Sequence, residues 1–278
     1  MQKGCYCVEK VLKLLVFGLV ALLLTGCGSV EAKKNMTAQE VFEKAKETST
    51  KLQNVRTHIS YEDFWKTTAP LEKQSITYDM ISDASLHPDI FKQTVKVQPA
   101  GGTAWDAEIY QLKDRVFIKK DKGKSWEELP SGSIAELFGS MITNVHPTLN
   151  LEFFNAFKDD FVLEPIDYGY NLKLSLTRDQ YKEFKNILFL SNNGSETEMD
   201  VLNSEFPLIN KFDIVIGIDI NTFYITDFKM MLDTTTYSTT KIDGNSHRVK
   251  QTINAVYSHF DNVDAVKIPT DVQDAVAQ

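Results

Sequence analysis

Cysteine is nearly absent. Cys5, Cys7 and Cys27 are the only three in 278 residues. Beyond residue 27 no disulfide, paired redox thiol or cysteine-held metal can form, so the remaining chain depends on an apolar core. Histidine is also scarce. His58, His87, His146, His247 and His259 are scattered, and none stands in H-E-x-x-H or another ligand spacing. There is no G-x-S-x-G elbow and no phosphate-cradling glycine loop. Gly101-Gly102 reads as a hairpin turn and Asp159-Asp160 as a solvated helix end. These absences exclude the common catalytic sets. The chain reads as non-enzymatic, with no catalytic residue, no metal and no cofactor.

Positive charge is in deficit as well. Thirty Lys and Arg face 38 Asp and Glu, a net charge of −8. Residues 1–26 hold three lysines and one glutamate, a net +2, so the −8 of the whole chain leaves −10 for the rest. An acidic domain is repelled by nucleic acid and by anionic headgroups. Nucleic acid is therefore excluded as a partner, and any hold on a membrane must be apolar.

Long apolar runs are limited to one. Leu14–Leu24 (LLVFGLVALLL) carries no charge and follows Lys3, Lys10 and Lys13. It has the length of a signal-peptide core and falls short of the roughly 20 residues of a spanning helix. Leu24-Thr25-Gly26-Cys27 comes next and has the pattern of a bacterial lipobox. Residues 1–26 are then expected to be a lipoprotein signal peptide, with Cys27 as the lipidation site. Residues 27–36 form a lipidated tether, and residues 37–278 a single domain. The expected location is the extracytoplasmic face of the cell membrane, held by acyl chains such as palmitate. Each buried CH2 gives about 0.8 kcal/mol, so two or three chains hold firmly where one does not.

The periodicity of the rest is mixed. Thr37-Ala38-Gln39-Glu40 is a capping box ahead of a helix predicted over 38–54. Residues 55–66, 72–84, 90–98, 105–112 and 115–120 alternate and are rich in Thr, Val, Ile, Tyr and Phe, as an antiparallel meander requires. Ser131 or Ser133 caps a short helix bearing Ile134, Leu137, Phe138 and Met141. Phe153, Phe154, Phe157 and Phe161 suit the face of another. Phe161–Pro165 and Tyr168–Leu176 read as strands. Thr177-Arg178-Asp179-Gln180 is a second capping box. Ile214–Ile220, Phe223–Thr234 and Lys250–Phe260 read as strands, and Pro269 introduces a closing segment. The fold class is α+β: a curved antiparallel sheet with helices packed on its concave face.

The aromatic residues of the short helices have two readings. Phe138, Met141, Phe153, Phe154 and Phe157 either plug the core or line an apolar cavity. Aromatic and methionine walls suit an acyl chain, which offers area without directional demands.

The order of elements resembles a known group. A tethered helix ends at Leu52-Gln53-Asn54-Val55 and a long sheet follows. Then come Val116-Phe117-Ile118-Lys119-Lys120, Gly123-Lys124-Ser125-Trp126 and Leu129-Pro130. Later come Ile216–Phe223 on a hairpin, and Tyr257-Ser258-His259-Phe260-Asp261 ahead of Ile268-Pro269. Over residues 37–272 this is similar to uncharacterised Gram-positive lipoproteins related to LolA and to the mycobacterial LppX/LprG lipoproteins. The resemblance implies a half-barrel closed by helices over a hydrophobic cavity, in proteins that carry lipids or lipoproteins. The expectation is a membrane-anchored, non-enzymatic lipoprotein that binds a lipid or other amphiphile. The alternative is a solid-cored module for protein–protein contact in the cell envelope.

Cys27→Ala is expected to leave the precursor uncleaved and free of diacylglycerol. Intact-mass spectrometry decides this, and an unmodified Cys27 in the mature wild type refutes it.

Overall fold

The computed structural model describes residues 35–68, 71–112, 115–120, 125–129, 148–191, 207–237 and 246–276. Residues Ala38–Gln278 form one compact unit. It opens with helix α1 (Ala38–Ser49), whose Val41, Phe42 and Ala45 are fully buried. Six strands follow as a meander: β1 (Asn54–Thr67), β2 (Lys73–Leu86), β3 (Asp89–Pro99), β4 (Trp105–Leu112), β5 (Arg115–Lys120) and β6 (Glu127–Leu129). A 3-10 helix (Leu151–Asp160) leads to β7 (Val162–Ile166) and β8 (Gly169–Ser175). Helix α2 (Arg178–Ser191), β9 (Leu208–Asp219), β10 (Ile225–Tyr237), β11 (Ser246–Ser258) and helix α3 (Thr270–Val276) complete the unit.

All eleven strands belong to one antiparallel sheet, in the order β6-β5-β4-β3-β2-β1-β11-β10-β9-β8-β7. Two meanders are thus joined at the centre by the first and last strands, with Arg56 opposite Ser258 and Thr67 opposite His247. The edge strands β6 and β7 do not pair with each other, so the sheet is open.

Alternation along the strands defines two faces. Val55, Thr57, Ile59 and Tyr61 on β1 are buried. Their register partners include Ala84, Ser82, Met80 and Tyr78 on β2, and Tyr257, Ala255 and Ile253 on β11. The same inner face continues outward through Val95, Val97, Ala107, Ile109 and Ile118. In the other direction it runs through Phe228, Met230, Ile214, Ile216, Leu172 and Leu174.

Helix α1, the 3-10 helix and α2 lie on this inner face, toward β8 and β9. Polar bonds set their spacing. Lys46 pairs with Glu152 at 2.8 Å, Gln39 bonds Asp159 at 3.0 Å and Gln180 bonds Asp160 at 2.7 Å. The capping box of α2 forms as its sequence requires: Thr177 N donates to Gln180 Oε1 at 3.0 Å, and Gln180 N donates to Thr177 Oγ1 at 3.4 Å.

The outer face carries a smaller core. Tyr110 has the opposite phase from Ile109 and lies beside Phe117. Val272 of α3 is fully buried against these two rings, with Trp126 and Ile268 around them. The closing helix therefore packs on the opposite side of the sheet from the others.

The sheet and its helices agree with the expected fold class. Several elements differ in extent or type: β9 starts at Leu208 and β11 at Ser246, earlier than their alternation predicts. The first helix ends at Ser49 because Asn54 already pairs with Ser85, and Leu52 and Val55 continue its spacing by coincidence. The segment 151–160 is a 3-10 helix, which has about three residues per turn. Helix caps Ser131 and Ser133, with Ile134 and Leu137, lie outside the described residues.

Candidate functional site

The helix layer is aromatic throughout. Phe154 is 2% exposed. Its ring stacks on Phe184 at 5.4 Å and meets Phe161 at 6.2 Å and Phe228 at 6.5 Å. Phe157 meets Phe184 at 6.3 Å, and Phe184 meets Phe212 of β9 at 5.4 Å. Phe42 of α1 joins through Phe161 at 5.6 Å. Three residues per turn puts Leu151, Phe154 and Phe157 on one buried line. Phe153 falls off that line and is half-buried. Of the residues predicted to line a cavity, the structure brings Phe154 and Phe157 into this cluster and sets Phe153 at its margin. Phe138, Met141 and Cys27 lie outside the described residues.

Beside the layer is a cavity of about 10 Å³, room for one water molecule. It is lined by Leu52, Val55, Tyr224, Ile225, Tyr257 and Phe260, among others. A hydrogen-bonded knot closes this end of the sheet. Asp261 accepts from Gln53 N at 2.7 Å and from the Tyr224 hydroxyl at 3.0 Å, and Asn54 accepts from Val263 N at 2.7 Å.

The inner face changes along the strands. On β1 the side chains are buried from Val55 to Tyr61, then half-buried at Asp63, Trp65 and Thr67. On β11 they are buried at Tyr257, Ala255 and Ile253, half-buried at Gln251 and Val249, and exposed at His247. On β2 they are buried from Ala84 to Tyr78, half-buried at Ile76 and exposed at Gln74. The apolar floor thus opens toward the Thr67 end of β1.

Four polar side chains meet where it opens. Asp63 lies opposite Gln251 on one side and Ile76 on the other. Gln251 Nε2 donates to the Tyr61 hydroxyl at 2.8 Å, and the Tyr61 and Tyr78 rings are 5.3 Å apart. Burial raises the Asp63 carboxyl above its ordinary value of 3.8, against the hydrogen bonds of Gln251 and Tyr61, which lower it. Burial and the neighbouring Asp63 charge push the Tyr61 hydroxyl far up, so it stays protonated. Asp63 Oδ1 is buried with no hydrogen-bond partner among the described residues. An unpaired buried polar atom costs stability. Sequence reasoning did not single out this group. Its signal was present: in Val55-x-Thr57-x-Ile59-x-Tyr61-x-Asp63-x-Trp65, an acid occupies the apolar phase.

Among the described residues no group of three or more His, Cys, Asp or Glu is placed to hold a metal ion. Among them, too, no helix is long and apolar enough to cross a membrane.

A family model described as "Family of unknown function (DUF6612)" matches residues 37–277. No curated protein matches the sequence. Three solved structures are similar to the chain. A LolA superfamily protein from Nitrosomonas europaea is 12% identical, covering 85% of this chain and 97% of its own, with a TM-score of 0.24. A DUF1329 family protein from Desulfovibrio piger is also 12% identical, covering 90% and 99%, with a TM-score of 0.30. A beta-barrel-like DUF1849 protein from Brucella abortus is 8% identical, covering 74% and 99%, with a TM-score of 0.22.

Two outcomes follow from this geometry. Phe154→Ala is expected to cost about 3–5 kcal/mol in denaturant unfolding, because its ring neighbours are fixed on three elements. A loss under about 1 kcal/mol would show that the layer collapses freely. Asp63→Asn is expected to be more stable than the wild type at pH 7. A raised folded pKa means the carboxylate penalises folding at high pH, and the penalty vanishes below the ordinary value of 3.8. Unfolding at neutral pH and at pH near 3 tests this. A difference that is constant between the two pH values refutes it.

Proposed function

The chain belongs to DUF6612, and we propose that it is a membrane-anchored surface lipoprotein that binds an amphiphile, without catalysis, on the inner face of its sheet. The carrying observation is the breadth of the apolar inner face. Eleven strands about 4.8 Å apart span roughly 50 Å. Among the described residues, two helices and a 3-10 helix lie on this face. Their contacts centre on β8 and β9, and their aromatic layer reaches β10 at Phe228. Beyond it the floor of β1–β5 remains apolar through Ile59, Met80, Val95, Ile109 and Ile118. An acyl chain matches such a floor, since the floor offers area and few directional groups.

In this reading Phe153, Phe154 and Phe157 form one wall, and Phe138 and Met141 remain candidates for the lining. The lipid on Cys27 holds the domain at the extracytoplasmic face of the membrane. The floor then takes an amphiphile from that surface. The solid-cored interaction module stays as the second reading, favoured by the ring packing of Phe154 and the water-sized cavity.

Ala107 separates the two. It is buried on the floor, opposite Val95. Under the binding reading, Ala107→Trp fills the space an acyl chain uses. Lipid co-purifying with the full chain, measured by mass spectrometry, is then expected to fall about tenfold with under about 1 kcal/mol lost in unfolding. In a solid core the same change overpacks and costs about 1–3 kcal/mol or more. That loss, with no lipid on the wild type, overturns the proposal.

A further inference from the structure

The position of Asp63 has no structural purpose that its neighbours explain. It stands on the apolar phase of β1, between Tyr61 and Trp65, where the inner face passes from buried to half-buried. Tyr61 and Gln251 hold the carboxyl, yet Oδ1 has no hydrogen-bond partner among the described residues. The aromatic rings around it are Tyr61, Tyr78 and Trp65. The other groups facing this end are His247 on β11, which is exposed, and the neutral Gln74 and Thr67. No lysine or arginine of β1, β2 or β11 shares this face, because Lys66, Lys73, Arg248 and Lys250 all have the opposite phase.

A carboxylate oxygen without a donor among the described residues, with the rings of Tyr61, Tyr78 and Trp65 on its face and no lysine or arginine of β1, β2 or β11 there, has the chemistry that recognises an ammonium group. The cation supplies the missing donor, and the rings add cation–π attraction. The half-buried apolar side chains beside it on the same face, Trp65, Ile76 and Val249, then receive the apolar chain attached to that cation. We propose that Asp63, Tyr61, Tyr78 and Trp65 form a head-group site for an amphiphile bearing an ammonium group. This rests on the amphiphile reading and specifies the ligand class. The site accounts for an acid whose own contribution to folding is unfavourable at neutral pH. It also agrees with a net charge of −8, which raises the local concentration of cations.

The test uses the full chain released from maltoside detergent in native mass spectrometry, with three probes of one chain length: dodecylammonium, dodecanol and dodecanoate. The wild type is expected to retain dodecylammonium about tenfold more than dodecanoate. Asp63→Asn should remove that preference and leave dodecanol within about twofold of wild type. Asp79→Asn, an exposed acid on the outer face beside His58, controls for general attraction to an acidic protein and should change nothing. If dodecanol and dodecylammonium bind equally and Asp63→Asn has no effect, the head-group site is wrong while the amphiphile reading stands. An equal effect of Asp79→Asn also overturns the site, since the preference is then one of net charge. If no probe binds the wild type, the amphiphile reading fails and takes the site with it.

Discussion

Everything on the inner face depends on the pairing of β1 with β11. Each meander can form from neighbours in sequence, but the two apolar surfaces become continuous only when the first strand meets the last. That contact closes a loop of nearly the whole domain, and the entropy of closure must be met before any cross-strand contact returns energy. The seam is accordingly well fastened. Ile59 and Tyr61 lie opposite Ala255 and Ile253 on the buried side. At one end, Asp261 and Asn54 bind the chain on both sides of the joint. The same seam creates the polar group, since Gln251 and Tyr61 are 190 residues apart.

The two faces treat similar residues in opposite ways. Asp233 sits on the outer face and is largely buried, but Arg248 donates to it twice, at 2.8 and 2.6 Å, and Asn210 adds a bond at 3.1 Å. Those bonds hold its carboxyl below the ordinary range. Asp63 lies on the inner face at the neighbouring pair of strands, has amide and hydroxyl partners only, and shifts upward. Buried charge is tolerated where a guanidinium answers it and costs stability where none does. A protein with that solution one strand away keeps Asp63 unanswered. That contrast points to a group supplied from outside the chain.

Local signals were legible in the sequence and distant ones were not. The box Thr177–Gln180 specified the start of α2 because both partners lie within one turn. The meander β1–β5 was legible because alternation and turns recur at short intervals. The three-residue β6 carried too little pattern to register. The cap and helix at 151–160 were visible as an aromatic face, but α-helical spacing grouped Phe153 with Phe154 and Phe157. The tighter 3-10 winding separates them. The placement of α3 on the outer face follows from the phase of Tyr110, which is invisible until Ile109 is known to face the other way. Asp63 was legible only as an oddity of phase. Its meaning needed Gln251, and nothing in the sequence joins residues so far apart.

An open sheet offers two edges as well as a face, and the edges are poor places for a partner. β6 is three residues long, with Glu127 and Glu128. β7 is five residues long and contains Glu164 and Pro165, the latter without an N–H to donate. Short, charged and proline-bearing edges resist strand addition by another chain. The outer face is partly occupied by α3 at Tyr110 and Phe117. Among its exposed apolar residues, Ile81 and Val256 are separated by His58, which is paired with Asp79, and Met231 stands apart on β10. Among the described residues the exposed apolar side chains are scattered: Val162 and Ile166 on edge strand β7, and Ile81, Met231 and Val256 on the outer face. The inner face, among the described residues, combines wide apolar area with one unanswered polar atom at its open end. A long apolar body with a single cationic head has that same distribution of chemistry.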